Sequence, residues 1–109
     1  MINNQKVIVI MPAYNAEKTL EKTYNEIYQN FVDEIILVDD FSSDNTKEIA
    51  KDLNITTIVH EQNKGYGGNQ KSCYRAALKA GADIVIMLHP DYQYTAYSCN
   101  CFYDGIWRI

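Results

Sequence analysis

Four short runs of aliphatic and β-branched residues constrain the fold of this 109-residue chain more than any other feature. The runs are residues 6–11, 34–39, 55–60 and 83–88. Each run is nearly continuous in apolar residues, which is typical of strands that are covered on both faces. Longer segments with helical periodicity separate the runs. The order β-α-β-α-β-α-β predicts an α/β fold of three layers, with a parallel sheet and right-handed crossovers.

The ends of the three helical segments carry recognisable capping residues. Asn15 is the predicted N-cap of the first helix, because an asparagine side chain accepts hydrogen bonds from the free amides of a helix start. Asn45 opens the second helix, and Glu48 three residues later gives capping-box spacing. The third helix is predicted over residues 68–80, with Gly81 as its C-terminal cap.

Charge and composition exclude several classes of partner. The net charge is -4, the isoelectric point is about 5.0, and the 10 Lys and Arg residues are spread along the sequence. We therefore expect no nucleic-acid partner. An acidic chain of this kind needs a divalent cation, Mg²⁺ or Mn²⁺, to bind a phosphate-bearing ligand, because bare carboxylates repel phosphates.

The N-terminal apolar run predicts a cytoplasmic protein. Pro12 ends this run after residue 11, so it is far shorter than the ~20 residues of a membrane span and too short for the core of a signal peptide. The three cysteines, Cys73, Cys99 and Cys101, are an odd number with no second metal-binding pair nearby. We expect them to be free thiols.

The unusual chemistry of the chain lies in the loops that follow the four predicted strands. These loops are residues 12–15, 39–45, 61–70 and 89–94, and they read PAYN, DDFSSDN, EQNKGYGGNQ and HPDYQY. In open parallel sheets, ligands bind beyond the carboxyl ends of the strands. We therefore expect the four loops to meet along one edge of the sheet and to form a ligand site there.

Two adjacent aspartates, Asp39 and Asp40, end the second predicted strand. Successive strand side chains point to opposite sides, so the two carboxylates are not expected to share a ligand atom. One of them can face the ligand crevice while the other caps backbone amides nearby. A purely structural role in the turn is equally consistent with the sequence for either residue taken alone.

The loop NKGYGG, residues 63–68, is rich in glycine but matches neither common phosphate-binding motif. Its spacing is G-x-G-G after the third strand, rather than G-x-G-x-x-G after the first, and no G-K-S/T follows. Two compatible interpretations remain. The glycines permit a tight entry into the helix, or they let a flat ring approach the backbone.

The last loop, HPDYQY, carries the sharpest functional signal. Pro90 fixes the turn so that Asp91 projects from the strand end, where a carboxylate and water can hold Mg²⁺ or Mn²⁺ against a diphosphate. His89 could add a nitrogen ligand, which Mn²⁺ accepts more readily than Mg²⁺. The alternative for His89, which we favour, is a hydrogen bond within the loop. The alternative for Asp91 is a turn-stabilising role.

Three stretches of the chain, residues 8–20, 34–50 and 63–94, together carry a resemblance to a known family. They read IVIMPAYNAEKTL, EIILVDDFSSDNTKEIA and NKGYGGNQKSCYRAALKAGADIVIMLHPDYQY. In order and spacing they resemble the nucleotide-binding half of a family 2 glycosyltransferase, which has the GT-A fold of nucleotide-diphospho-sugar transferases. Within that family, the dolichyl-phosphate mannose or glucose synthases are the most similar group.

The resemblance implies roles for individual positions. The family loop that walls the nucleotide matches Pro12, Ala13, Tyr14 and Asn15. In the family, the aspartate that matches Asp39 hydrogen-bonds the base of the nucleotide. The family loop that matches the one containing Asn63 and Gly65 borders the base. The D-x-D signature falls on residues 89–91, and its last aspartate, here Asp91, holds the metal on the diphosphate.

The chain departs from the family pattern in two places. His89 stands where D-x-D begins with an aspartate, so weaker metal affinity is expected. The acceptor site and the catalytic base of the family lie in a further stretch without a counterpart here, so the catalytic base is unknown. We therefore divide the chain into residues 1–95, the nucleotide-sugar-binding part of a truncated GT-A domain, and residues 96–109, an atypical tail in which Asp104 and Gly105 predict a hairpin.

The leading functional hypothesis implied by the resemblance is a metal-dependent, inverting glycosyltransferase. Such an enzyme transfers a hexose from a UDP- or GDP-linked sugar to an acceptor, either a lipid phosphate or a saccharide, in the cytoplasm or at the cytoplasmic face of a membrane. The alternative is a non-catalytic nucleotide-binding fragment that lacks the acceptor half. A partial domain of this kind exposes a sheet edge, so we also expect self-association into a homo-oligomer.

Overall fold

The computed structural model of the protein describes residues 4–27, 32–89 and 105–108, and that part of the chain forms five strands and three helices. The strands are β1 (Val7–Ala13), β2 (Glu34–Asp39), β3 (Thr56–Val59), β4 (Ile84–Met87) and β5 (Gly105–Arg108). The helices are α1 (Leu20–Asn25), α2 (Thr46–Asp52) and α3 (Gly65–Lys79). Strands and helices alternate from β1 to β4, as the sequence predicts.

All five strands form one sheet in the order β3-β2-β1-β4-β5. β1 pairs in parallel with β2 and β4, and β2 pairs in parallel with β3, which confirms the predicted parallel sheet. β5 runs antiparallel to β4, with Met87 opposite Gly105. The hairpin predicted around Gly105 needs a first strand within residues 96–104, which lie outside the described residues. That hairpin and the division at residue 95 stay predictions.

Helices cover both faces of the sheet, which accounts for the continuous apolar run of β1. On one face, α1 and α2 share a buried cluster with the sheet that includes Val9 and Leu20. On the other face, α3 shares a second cluster that includes Ile10 and Ala77. Every residue of β1 is buried. Full burial of an aliphatic side chain contributes about 1.5–3 kcal/mol, so β1 is the centre of the core.

β3 is less covered than the sequence suggests, because it lies at an edge of the sheet. Ile58 and Val59 each keep 38% of their surface accessible. The expectation that the run 55–60 is covered on both faces is therefore wrong for β3, although Ile55 just before it is buried. An apolar run indicates a strand but does not say where in the sheet the strand lies.

Two of the predicted helix ends occur where expected. Gly81 follows Ala80, the C-cap of α3, with a φ of 84°, a left-handed conformation that glycine adopts without strain. Asn45 is the N-cap of α2, but its side chain makes no capping bond, and Asp44 Oδ1 instead accepts from the Thr46 amide at 3.0 Å. None of the three helices described is long and apolar enough to cross a membrane.

Asn15 is not the N-cap of α1, which corrects the sequence prediction. α1 begins at Leu20, and Thr19 is its N-cap. Asn15 has a φ of 50°, and its Oδ1 accepts a hydrogen bond from the Ser43 amide at 2.9 Å. The Asn15 side chain thus binds a neighbouring loop rather than the start of its own helix.

The assignment of the core predicts different outcomes for one substitution at two leucines. Leu37 in β2 is fully buried, whereas Leu78 on α3 is 55% exposed. Leu37→Ala should lower the free energy of unfolding by about 2–5 kcal/mol, because it leaves a cavity. Leu78→Ala should change it by less than about 0.5 kcal/mol. Urea denaturation followed by circular dichroism measures both, and equal losses would contradict the assigned core.

Candidate functional site

The carboxyl ends of the parallel strands lie along one edge of the sheet, which we call the rim and define as residues 12–15, 39–45, 60–65 and 88–89. Ala13 of β1 lies opposite Asp39 of β2, and Asp39 lies opposite Val59 of β3. The Leu88 amide donates to the carbonyl oxygen of Ile10 at 2.9 Å, so the chain leaves β4 at the same edge. The loops therefore converge as the topology predicts.

Ser42 joins the loop after β1 to the loop after β2. Its hydroxyl accepts from the Asn15 amide at 2.8 Å and donates to Asp39 Oδ1. The Ser42 amide donates to Asp39 Oδ2 at 3.1 Å. Asp39 is fully buried. Two predicted nucleotide contacts, Asn15 and Asp39, are thus linked through a single hydroxyl group.

The other residues of the first loop differ in exposure. Pro12 and Ala13 are the last residues of β1, which runs two residues beyond its predicted end, and both are buried. Tyr14 is 53% exposed. Only the tyrosine among these three therefore presents a side chain to solvent at the rim.

A second set of hydrogen bonds joins the starts of α1 and α2. The Ala16 amide donates to Thr46 Oγ1 at 2.8 Å, and the Glu17 amide donates to Asp44 Oδ2 at 3.2 Å. In return, the Asn45 amide donates to Glu17 Oε2 at 2.7 Å. The segments that lead into α1 and α2 are thus joined by hydrogen bonds from backbone amides of each to side chains of the other.

Asp40 points away from Asp39 and binds the start of α3. Its Oδ1 accepts from the Lys64 amide at 2.8 Å, and its Oδ2 accepts from the Gly65 amide at 3.0 Å. The side chain is 3% exposed. Burial raises the pKa of Asp40, but hydrogen bonds from the Lys64 amide, His60 and the Gly65 amide bring the pKa below its ordinary value. The predicted divergence of the two carboxylates is confirmed, and Asp40 is the one that caps backbone amides.

The glycine-rich loop begins α3 at Gly65, three residues earlier than predicted. Gly65 has a φ of 79°, which L side chains rarely adopt. Asn63 holds the turn on both sides: its Nδ2 donates to the Asp40 carbonyl oxygen at 3.2 Å, and its Oδ1 accepts from the Gly65 amide at 2.9 Å. A Cβ added at Gly67 would meet no atom within 4 Å, so space is open there. The conformation of Gly65 confirms the tight entry into the helix, whereas the approach of a flat ring stays a prediction.

A buried asparagine, Asn69, ties α3 to the ends of the two central strands. Its Nδ2 donates to the Val38 carbonyl oxygen at 3.1 Å and lies 3.4 Å from that of Ala13. Sequence reasoning missed this residue. The one sequence feature that points to Asn69 is its spacing of four residues from Cys73 and of eight from Ala77, which places the three on one helix face. Cys73 and Ala77 belong to the core, so Asn69 faces the core as well.

The predicted metal ligand Asp91 lies outside the described residues. His89, two residues earlier, is 7% exposed at the end of the rim. In residues 4–27 and 32–89, no group of three or more His, Cys, Asp or Glu side chains is placed to hold a metal ion. Of the three residues that match the D-x-D signature, the structure describes only His89, whose imidazole is a ligand that Mn²⁺ accepts.

A sequence profile of one protein family, glycosyl transferase family 2, matches residues 8–100. The match begins in β1 and runs through every loop of the rim. The chain belongs to this family. Membership confirms the resemblance found in the sequence and shows that the relatives of the chain are glycosyltransferases.

Two relatives of the chain are longer than the chain itself. A UDP-N-acetylglucosamine–dolichyl-phosphate N-acetylglucosaminyltransferase from Methanococcus voltae is 35% identical over 105 residues, covering 81% of this chain and 42% of the relative. A dolichol-phosphate mannosyltransferase from Pyrococcus furiosus is 31% identical over 96 residues, covering 82% and 26%. The chain thus spans less than half the length of these two relatives.

The fold is similar to that of solved glycosyltransferases of the GT-A class. The crystal structure of glucosyl-3-phosphoglycerate synthase from Mycobacterium tuberculosis, with Mn²⁺, UDP and glucosyl-3-phosphoglycerate, matches with a TM-score of 0.67 and 26% identity. The match covers 80% of this chain and 34% of that one. This likeness confirms the predicted fold class.

The turn at the start of α3 predicts opposite effects of one substitution at two glycines. Gly65→Ala should destabilise the fold by roughly 1–2 kcal/mol, because its φ of 79° is left-handed. Gly67→Ala, which has open space around it, should stabilise α3 by about 0.5–1 kcal/mol. Urea denaturation of both variants measures the difference. A loss at Gly67 as large as that at Gly65 would contradict the described turn.

Acid should remove the stabilisation that Asp44 provides. Burial raises its pKa, but hydrogen bonds from the Thr46 hydroxyl, the Thr46 amide and the Glu17 amide bring it below the ordinary 3.8. The ionised form is therefore favoured by folding, and its contribution is present above pH 3.8 and lost as the pH falls through the folded-state pKa.

The measurement is the free energy of unfolding of wild type and Asp44→Asn across the acid range. Wild type should be the more stable protein above pH 3.8, and the difference should shrink below it. Asp52→Asn, at an exposed position of α2, controls for the change in net charge. A difference that is constant with pH would show that Asp44 contributes nothing through its ionisation.

Proposed function

We propose that the protein binds a nucleotide diphosphate sugar at the rim and takes part in transfer of its hexose to an acceptor. The family supports the class of reaction. The observation that supports a nucleotide site at the rim is the set of hydrogen bonds at Ser42. They bring Asn15 and the buried Asp39 together at the carboxyl edge of the sheet. Ligands of open parallel sheets bind at this edge.

In this proposal, Asp39 accepts a hydrogen bond from the base after the Ser42 side chain has turned away, because Asp39 is fully buried beneath Ser42 in the structure. An ionised carboxylate only accepts, and both uracil and guanine carry a ring N–H that donates. The wall of the nucleotide site is assigned to Pro12, Ala13, Tyr14 and Asn15. Asn63 and Gly65 border the base from the side of α3. We favour UDP over GDP, because UDP stands in the name of the Methanococcus relative and is bound in the mycobacterial structure.

A divalent cation, Mg²⁺ or Mn²⁺, is the proposed cofactor, with Asp91 as its carboxylate ligand. Mn²⁺ is present in the mycobacterial structure. When bound, the cation offsets the negative charge that develops on the leaving nucleoside diphosphate. His89 adjoins this position, and its imidazole favours Mn²⁺ over Mg²⁺ if it joins the ligand set.

For the acceptor of the hexose we propose a chemical class and not a specific compound. We propose an inverting transfer to a lipid phosphate or a saccharide, of which the names of both relatives favour the lipid phosphate. Such an acceptor places the reaction in the cytoplasm at the face of a membrane. No residue of this chain is assigned as the catalytic base. The exposed edge at β3 supports the further proposal of self-association.

A second candidate function is nucleotide binding without turnover. The chain spans 42% and 26% of the two relatives, so the parts that bind the acceptor in those proteins have no assigned counterpart here. Release of UDP from UDP-N-acetylglucosamine in the presence of dolichyl phosphate and Mn²⁺ separates the two functions. Release no faster than hydrolysis without acceptor would leave the binding function alone.

Calorimetric titration with UDP and Mn²⁺ tests the nucleotide site. Asp39→Asn should weaken UDP binding by about tenfold or more, the loss expected for a hydrogen bond to a charged group. Asp52→Asn removes the same charge from an exposed position on α2 and should leave binding unchanged. Asp91→Asn should bind UDP equally with Mn²⁺ and with EDTA. Equal affinity of wild type and Asp39→Asn would refute the assignment of the base contact.

A further inference from the structure

A chain of hydrogen-bonded polar groups links the rim to α3 and contains none of the residues predicted to contact the nucleotide or the metal. His60, 6% exposed, follows β3. Its Nδ1 lies 2.7 Å from Asp40 Oδ1, and its Nε2 lies 2.8 Å from Ser72 Oγ. Ser72 Oγ in turn lies 3.2 Å from the Gly68 carbonyl oxygen. The chain of contacts thus joins the end of β2, the end of β3 and the first turns of α3.

The chemistry of Asp40 fixes which way the hydrogen bond from His60 points. An ionised carboxylate has no proton to donate, so Nδ1 of His60 carries the proton and donates it to Asp40. This holds for the imidazolium and for the neutral imidazole with Nδ1–H. The Ser72 hydroxyl has one proton, so it donates either to Gly68 or to Nε2 of a neutral His60. The bond to Asp40 is present in both cases.

The Asp40 carboxylate binds His60 on one side and the first amides of α3 on the other. The same carboxylate accepts the amides of Lys64 and Gly65, and the Asp40 carbonyl oxygen accepts from Asn63. The His60 amide also donates to the Asp39 carbonyl oxygen at 2.9 Å. Rotation of the Asp40 carboxylate would therefore break its bonds to the Lys64 and Gly65 amides and leave the turn at residues 63–65 held by Asn63 alone.

We propose that His60 is a positioning residue for nucleotide binding, acting through Asp40 on the turn that carries Asn63 and Gly65. This inference rests on the proposed function, which places these two residues beside the base. A turn held in its bound conformation lowers the ordering cost of binding. His60 itself is buried behind the turn and has no contact with the nucleotide in this proposal.

Two amide variants distinguish the contact of Nδ1 with Asp40 from the contact of Nε2 with Ser72. His60→Asn keeps a donor near the Nδ1 position and loses the contact with Ser72. His60→Gln places its amide near the Nε2 position and loses the donor to Asp40. We expect His60→Gln to weaken UDP binding in the presence of Mn²⁺ by about tenfold, because the turn that Asp40 no longer holds must then be ordered during binding. His60→Asn and Ser72→Ala should stay within about threefold of wild type, since both keep the bond to Asp40.

Amide hydrogen exchange without nucleotide gives a second reading of the same variants. Exchange at Lys64 and Gly65 should be faster in His60→Gln than in wild type, and unchanged in His60→Asn. A merely structural histidine predicts instead that UDP affinity follows the loss of stability in all three variants, whichever bond is removed. Urea denaturation of the three variants supplies that comparison.

The outcomes for the inference and for the proposed function are distinct. If wild type binds UDP and His60→Gln binds it equally well, the positioning role is overturned while the nucleotide site stands. The same holds if His60→Asn loses as much affinity as His60→Gln. If wild type binds no UDP, the proposed function fails and the link to nucleotide fails with it, even where exchange shows that His60 orders the turn.

Discussion

The buried carboxylate of Asp40 is the interaction on which the arrangement of the rim depends. A charge removed from water is costly unless it is paired and hydrogen-bonded. Here two backbone amides and an imidazole satisfy it. These partners come from the end of β3 and the start of α3, so the carboxylate holds three segments of the chain in one arrangement. Loss of any partner leaves a buried charge short of hydrogen bonds, which is why the segments are not independent.

Adjacent residues of β2 divide the rim into two parts. Asp39 accepts from Ser42 and so belongs to the junction with the loop after β1, whereas Asp40 belongs to the junction with α3. This division arises because successive side chains of a strand point to opposite faces of the sheet. Asn69 joins the two parts beneath the rim, because its amide reaches the carbonyl oxygens at the ends of β1 and β2. The loops of the proposed nucleotide site are thus joined to one another by hydrogen bonds within the protein.

The fold followed from the sequence where periodicity and topology decide it. Continuous apolar runs predict strands buried on both faces, and parallel order brings the following loops to one edge. The prediction missed the exposure of β3, although Thr56, Thr57 and His60 make half of the run 55–60 polar. The cap at Asn15 was wrong because its side chain had a partner 28 residues away, in Ser43.

The site residues that sequence reasoning missed, His60, Ser72 and Asn69, are polar groups whose partners are distant in the chain. The sequence around a histidine that follows an apolar run does not reveal whether the side chain is solvated or buried. His60 is buried against Asp40, which lies 20 residues earlier in the chain. Asp39 and Asp40 were found because two carboxylates at a strand end are conspicuous, but their partners were not. Side-chain roles of this kind depend on packing rather than on local pattern.

The electrostatics of the rim give a physical reason for a cation in the proposed site. Hydrogen bonding holds the pKa values of Asp40 and Asp44 below the ordinary range, so both carboxylates are ionised at neutral pH. Apart from His60, their hydrogen-bond partners are neutral amides and a hydroxyl group, and the whole chain has a net charge of -4. A diphosphate that approaches this edge meets a repulsive potential. In the proposed function, a divalent cation held by Asp91 would offset this repulsion and so assist binding of the diphosphate as well as departure of the nucleotide.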